Sequence, residues 1–463
     1  MKRNYFNFER KGNDYLITND AGGYCFLSEN EFSDLIQDRI TPESSAALRL
    51  KQQGFIYDES DLEFATHEAD GILWNKGYLA AATSLHIFVV TTECNLNCVY
   101  CQANSKPYGS DYFMNKEIAR KAVDIALQSP EYELSFEFQG GEPLLNFPVI
   151  RYIVEYTEEH KENHCVSFSL VSNLTLLTDE MIDFIQEHNI SVSTSVDGYE
   201  ELHDRNRHYT DGAGSFGKVL KSLSRLKDNG IRAGAIETTT RYSLADPCKI
   251  VDTYSDIGFD GIFIRPLTPL GRAGASWSEI GYTADEYLEF YKEAFDAIIQ
   301  KNMDGQFFKE NYASILLKKI FGQYVNYMEL RSPCGGGIGQ LAYYADGNIY
   351  TCDEGRMLSE DGINDFCVGN VYDSTYEDII KSGACRTVCA SGILESTPDC
   401  CDCVYLPYCG VCPVVNYALY GDVMAKEPGG YKCKINKGIL DLIFEKIKEN
   451  NSEIMEIFRK WVN

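Results

Sequence analysis

The chain has 463 residues, 44% of them hydrophobic and 24% charged, enough for two or three domains with separate cores. Its formal net charge of −27, from 69 acidic and 42 basic residues, argues against a nucleic-acid partner, because phosphate backbones are bound by neutralising them. Met1 to Gly12 is charged and lacks the apolar stretch of a secretory signal, and the longest strongly apolar run, Leu85 to Val90, is too short to span a bilayer. A cytoplasmic protein with no membrane partner is expected. In such a reducing compartment, 17 cysteines point to metal binding rather than disulfides.

Residues 1–83 hold one cysteine, Cys25, and read as a small strand-and-helix module. Tyr15–Thr18 and Tyr24–Leu27 are predicted strands around the Asn19–Gly23 turn, Ser28 is a helix N-cap, a second helix covers roughly 42–53, and Gly54–Tyr57 is a closing strand. Residues 84–325 alternate strand and helix. Strands are predicted at Leu85–Thr91, Leu134–Gln139, Val166–Val171, Ser191–Val196, Ile231–Thr238 and Gly261–Ile264, with helices at Lys116–Gln128, after Thr178 and over Phe216–Asp228. Six strand–helix units imply an α/β fold, a partial (β/α)6 TIM-type barrel with its site at the carboxyl ends of the strands. Residues 326–463 contain eleven of the cysteines and form a third region.

Cys94, Cys98 and Cys101 form a CxxxCxxC triplet in the loop after the first barrel strand. Three thiolates hold three irons of a [4Fe–4S] cluster and leave the fourth iron open to a chelating ligand. A structural zinc site wants a fourth ligand, and no Cys or His lies nearby. With the aromatic Tyr100 before its last cysteine, the triplet resembles the signature of the radical S-adenosylmethionine (SAM) superfamily. That resemblance implies reductive cleavage of SAM to a 5′-deoxyadenosyl radical. It also implies SAM contacts at Gly140, Gly141, Glu142 and Pro143, at Ser172 and Asn173, at Ser195 and Asp197, and at Tyr100 near the adenine. Arg205 or Arg207, in the charged run His203–Arg207, is a further candidate for the SAM carboxylate or the substrate.

Cys334, Gly347 and Cys352, then Cys400, Cys403, Cys409 and Cys412, then Cys433, resemble the SPASM extension of peptide-modifying radical SAM enzymes, one residue short at the last step. The resemblance implies two auxiliary [4Fe–4S] clusters, three in all. Cys400, Cys403, Cys409 and Cys433 would hold one; Cys334, Cys352 and Cys412 would hold the other, its fourth ligand open among Cys367, Cys385, Cys389, Cys401 or substrate. Asp353, directly after Cys352, is a candidate base, since an oxidised product needs a proton removed.

The SPASM resemblance implies a peptide substrate, and residues 1–83 resemble the PqqD-like winged-helix modules that add a leader peptide to a sheet edge. An acidic surface would steer a basic leader toward it. The runs Tyr15–Gly22, Leu85–Thr91, Tyr100–Gln102 and Tyr405–Pro413 further resemble the B-type maturases of His-Xaa-Ser peptide systems. These imply a precursor peptide, a second radical SAM maturase and a one-electron reductant such as flavodoxin or ferredoxin. A formylglycine-generating sulfatase maturase and a non-enzymatic iron–sulfur electron carrier are the alternatives.

Overall fold

A computed structural model describes residues 1–425 and 429–463. The N-terminal region opens with a three-stranded antiparallel sheet, β1 (Asn7–Lys11), β2 (Asp14–Thr18) and β3 (Tyr24–Ser28). β1 has no counterpart in the sequence reading, because NFERK ends in three successive charged residues and holds no apolar run. Helices Glu29–Ile36, Ser45–Gln52 and Phe64–Asn75 follow. The first begins where expected: Ser28 and Glu31 make a reciprocal capping box that satisfies two otherwise unpaired N–H groups. Ile17, Leu27, Leu35, Ala47, Leu50 and Phe55 give this module its own core.

The rest of the chain is organised by a ten-stranded sheet. Six parallel strands lie in sequence order: β4 (Leu85–Thr91), β5 (Glu133–Gly140), β6 (Cys165–Val171), β7 (Ser191–Ser195), β8 (Ala233–Thr238) and β9 (Gly261–Arg265). β4 has the predicted bounds, and the other five differ from expectation by one or two residues. The two-residue strand Lys309–Glu310 closes the far edge. The central strands are rich in β-branched and aromatic residues, and Ile87 to Val90 are buried, as befits a parallel sheet covered by helices.

Those helices connect successive strands. Lys116–Ala126 starts on an Asn115 cap and buries Ile118, Ala119, Ala122, Val123, Ile125 and Ala126. Asp179–Glu187 starts on Thr178 as expected, and Phe216–Asp228 has the predicted span. Each lays one apolar stripe on the sheet, so its packing rather than its propensity holds it.

The sheet continues past residue 325. β10 (Gln340–Tyr343) pairs in parallel with β4, Gln340 opposite Leu85 and Tyr343 opposite Phe88, and β11 (Asn348–Tyr350) and β12 (Cys367–Asn370) extend it antiparallel. The cysteine-rich region therefore shares its hydrogen-bonded framework with the barrel. Helices Tyr431–Glu449 and Ser452–Val462 return to pack on Ala284–Met303, with Trp461 edge-on to Phe295 at 5.7 Å. The N-terminal sheet docks on the cysteine-rich loop: Thr18 Oγ1 donates to the Val404 carbonyl at 2.6 Å, and Asn7 Nδ2 donates to those of Cys401 and Cys403 at 3.1 Å each.

Candidate active site

The parallel strands end in polar turns that face one cavity of about 720 Å³. Cys94, Cys98 and Cys101 reach it from the loop after β4. Gly140 and Gly141, after β5, line it as well. A Cβ on either would come within 2.2 Å of a backbone oxygen, that of Thr91 or of Glu93, so only glycine lets the two loops cross here. Ser172 and Asn173 after β6, and Ser195 at the end of β7, complete the inner wall.

Glu142 is placed differently from expectation. Its carboxylate is fully buried and accepts hydrogen bonds from Ser172 Oγ at 2.7 Å and from the backbone N–H groups of Asn173 at 2.7 Å and Leu144 at 3.0 Å. It braces the Ser172–Asn173 turn instead of facing the cavity, and Pro143 lies behind it at the start of a short 3-10 turn. Burial raises its proton affinity, opposed by those three donors.

Asp197 and Tyr100 form a buried pair. The Tyr100 hydroxyl donates to Asp197 at 2.8 Å and accepts from Arg207 Nη1 at 2.7 Å. Burial pushes Asp197 up to about 6, against the pull of Arg207 and Tyr100. Arg207 lines the cavity and its buried Nε has no partner among the described residues. Arg205 is instead stacked over Tyr242, 3.4 Å from the ring centroid, which leaves Arg207 as the cavity-facing cation of that run.

Burial works against the charged, ligating form of the thiols. Burial pushes Cys94 up strongly and Cys98 to about 11, with Arg207 pulling the latter back. Against that cost, N–H donors point at sulfur: Leu96 at Cys94 (3.4 Å), Gly336 at Cys334 (3.5 Å), Gly355 at Cys352 (3.3 Å) and Tyr405 at Cys403 (3.5 Å). Asn436 Nδ2 adds a donor to Cys409 at 3.7 Å.

The eleven C-terminal cysteines separate into groups. Cys334, Cys352 and Cys412 face the same large cavity as the triplet. Cys400, Cys403, Cys409 and Cys433 surround a separate cavity of about 50 Å³, and Val411 lies in the wall of both. Cys367, Cys385, Cys389 and Cys401 line neither. Among the described residues, no three Cys, His, Asp or Glu side chains converge on the one point a lone metal ion would take. The thiols ring spaces instead.

Asp353 lies in the large cavity, its Oδ1 accepting from the buried Arg356 Nε at 2.8 Å. Four charged neighbours there escaped the sequence reading: Glu137, Arg265, Glu329 and Glu354. Arg265 Nη2 donates to Glu329 at 2.9 Å. Burial raises the Glu137 carboxyl, and the charge of Asp353 raises it further. A charged residue amid the apolar alternation of β5 was the available signal for Glu137; the others carry none without the fold.

Residues 88–245 match the family model of the radical SAM superfamily, a span holding the triplet, the glycine turn, Ser172, Asn173 and Arg207. This stretch is a radical SAM domain. A serine-type anaerobic sulfatase-maturating enzyme of Bacteroides thetaiotaomicron is 25% identical over 382 residues, 77% of this chain and 89% of that one. The radical SAM cyclopropyl synthase TigE of Paramaledivibacter caminithermalis is 23% identical, covering 94% and 87%. An uncharacterized protein of Methanocaldococcus jannaschii is 35% identical over 158 residues, 34% of this chain and about half, 54%, of its own length. The solved structure of anSMEcpe with bound AdoMet superposes with a TM-score of 0.69 at 22% identity, over 80% of this chain and all of that one.

The radical SAM superfamily binds SAM and a [4Fe–4S] cluster, and the residues present fit both. Three thiols share a cavity wide enough for a cluster and its ligand, and the Arg207 guanidinium in its wall is a cation on hand for a carboxylate.

Proposed function

We propose that this chain cleaves SAM reductively and uses the radical to oxidise, and crosslink, side chains of a ribosomally made precursor peptide. The observation that carries this reading is one large cavity in which the triplet, the glycine and Ser172–Asn173 turns and three further cysteines meet. When bound, the triplet cluster would supply the electron that splits SAM into methionine and a 5′-deoxyadenosyl radical. Cys94, Cys98 and Cys101 would hold that cluster. Arg207 and Asn173 would orient the SAM carboxylate, and Ser172, Ser195 and the glycine turn its remaining polar groups. Cys334, Cys352 and Cys412, and separately Cys400, Cys403, Cys409 and Cys433, would hold two auxiliary clusters able to accept an electron from oxidised substrate.

Removal of a substrate proton falls to a cavity carboxylate. Asp353 is held in place by Arg356, and Glu137 faces the same space. The N-terminal sheet has two free edges, β1 and β3, and a leader peptide of basic character would pair with one of them as a PqqD-like module does. Flavodoxin or ferredoxin would be the reductant, and a second maturase of the His-Xaa-Ser type a partner on the same precursor.

The test is anaerobic incubation of the iron-loaded protein with SAM, dithionite and the peptide encoded beside its gene. Release of 5′-deoxyadenosine with loss of two hydrogens from the peptide is expected; an unaltered peptide counts against the reading. The length-spanning similarity to the sulfatase-maturating enzyme favours a second reading, formylglycine formation. Conversion of a sulfatase-derived Cys or Ser peptide under the same conditions would establish it.

A further inference from the structure

Resting on the auxiliary-cluster reading above, we infer that Glu354 is the fourth ligand of the cluster held by Cys334, Cys352 and Cys412, binding through a carboxylate oxygen. Three cysteines from separate segments face the large cavity, and a cubic cluster has four irons to satisfy. None of the four remaining candidate cysteines lines the large cavity. Cys385 is buried in the apolar core, pressed against Gly337, where an added Cβ would come within 2.7 Å of its sulfur. Cys367 donates to the Gly369 carbonyl at 3.5 Å on β12. Cys401 sits in the loop under the N-terminal sheet, its carbonyl accepting from Asn7. Cys389, on the helix Gly383–Ser391, lines neither cavity.

Glu354 has what these lack. It is two residues past Cys352, in the first turn of the helix Asp353–Ser359, and it lines the cavity. Among the described residues no hydrogen bond or ion pair to another residue holds its carboxylate, whereas the adjacent Asp353 is taken by Arg356 and the nearby Glu329 by Arg265 and Lys432. A carboxylate in that position supplies an anionic oxygen donor for the iron that three cysteines leave open.

The experiment uses the full chain with Cys94, Cys98 and Cys101 replaced by Ala, reconstituted anaerobically, so that only auxiliary iron remains. Iron content, and the electron paramagnetic resonance spectrum of the reduced protein with and without imidazole, are compared before and after Glu354→Ala. The expected result is a parent spectrum unmoved by imidazole and a Glu354→Ala spectrum that is altered and shifts on adding imidazole. If Glu354→Ala loses the cluster, Glu354→Cys restores it with a changed spectrum. A parent that itself responds to imidazole, a Glu354→Ala spectrum identical to the parent's, or iron lost from both Glu354 variants overturns the assignment. A parent with no iron at all overturns the auxiliary-cluster reading itself.

Discussion

At the scale of single residues, the charged run His203–Arg207 shows how much one side-chain direction decides. Arg205 stacks on Tyr242 and does not line the cavity, while Arg207 does. A hydrogen bond to a charged group contributes about 1.5–3 kcal/mol. Arg207→Ala is therefore expected to weaken SAM binding by roughly ten- to hundredfold, and Arg205→Ala to leave it unchanged, as equilibrium binding under anaerobic conditions will show. Cys98→Ala is expected to abolish 5′-deoxyadenosine release and to lower bound iron by one cluster's share, while the iron of the other cysteine groups stays.

At the scale of elements, the N-terminal module is attached through its sheet to the loop that carries Cys400, Cys403 and Cys409. Thr18 and Asn7 supply the bonds, and Tyr408 returns one by donating to the Gly22 carbonyl at 2.9 Å. This docking ties the region proposed to receive peptide to one of the auxiliary cysteine groups. Asn7→Ala leaves two loop carbonyls without their donor, at a cost of about 1–3 kcal/mol. Hydrogen exchange is expected to quicken over residues 7–28 and 401–408 and to stay constant in β4–β9. A uniform response across the sheet would show instead that the module is an integral part of the barrel.

At the scale of the whole molecule, two buried histidines set the acid side of stability. His86, under the sheet and bonded through Nδ1 to the Tyr343 hydroxyl at 3.0 Å, and His203, bonded through Nε2 to Ser215 Oγ at 3.0 Å, are both lowered to about 3 by burial. An unfolded histidine titrates near 6.5, so between about 6.5 and 3 the unfolded chain binds the extra protons. Their contribution is complete above pH 6.5 and is lost as pH falls through that window, by at most about 1.4 kcal/mol per pH unit for each. Denaturant midpoints are expected to drop from pH 7 to pH 5, and His86→Asn, which keeps a donor toward Tyr343, to make that drop shallower.

The barrel and the cysteine triplet were legible in the chain because both are local. Apolar periodicity marks a strand or helix over a few residues, and CxxxCxxC brings three thiols together whatever the rest of the chain does. What local pattern could not reveal was assembly across distance. β1 hid its role because three successive charged residues read as loop, while Lys11 finds its partner Asp441 far along the chain. Glu142 read as a cavity ligand from its motif, yet it accepts from Ser172 and Asn173 some thirty residues on, contacts made only when β5 and β6 lie side by side. Likewise local spacing could order eleven cysteines, and their division into two groups came only from the family resemblance. Only the continuation of the sheet through β10 to β12 turns Cys334, Cys352 and Cys412 toward the triplet and leaves Cys400, Cys403, Cys409 and Cys433 around a space of their own.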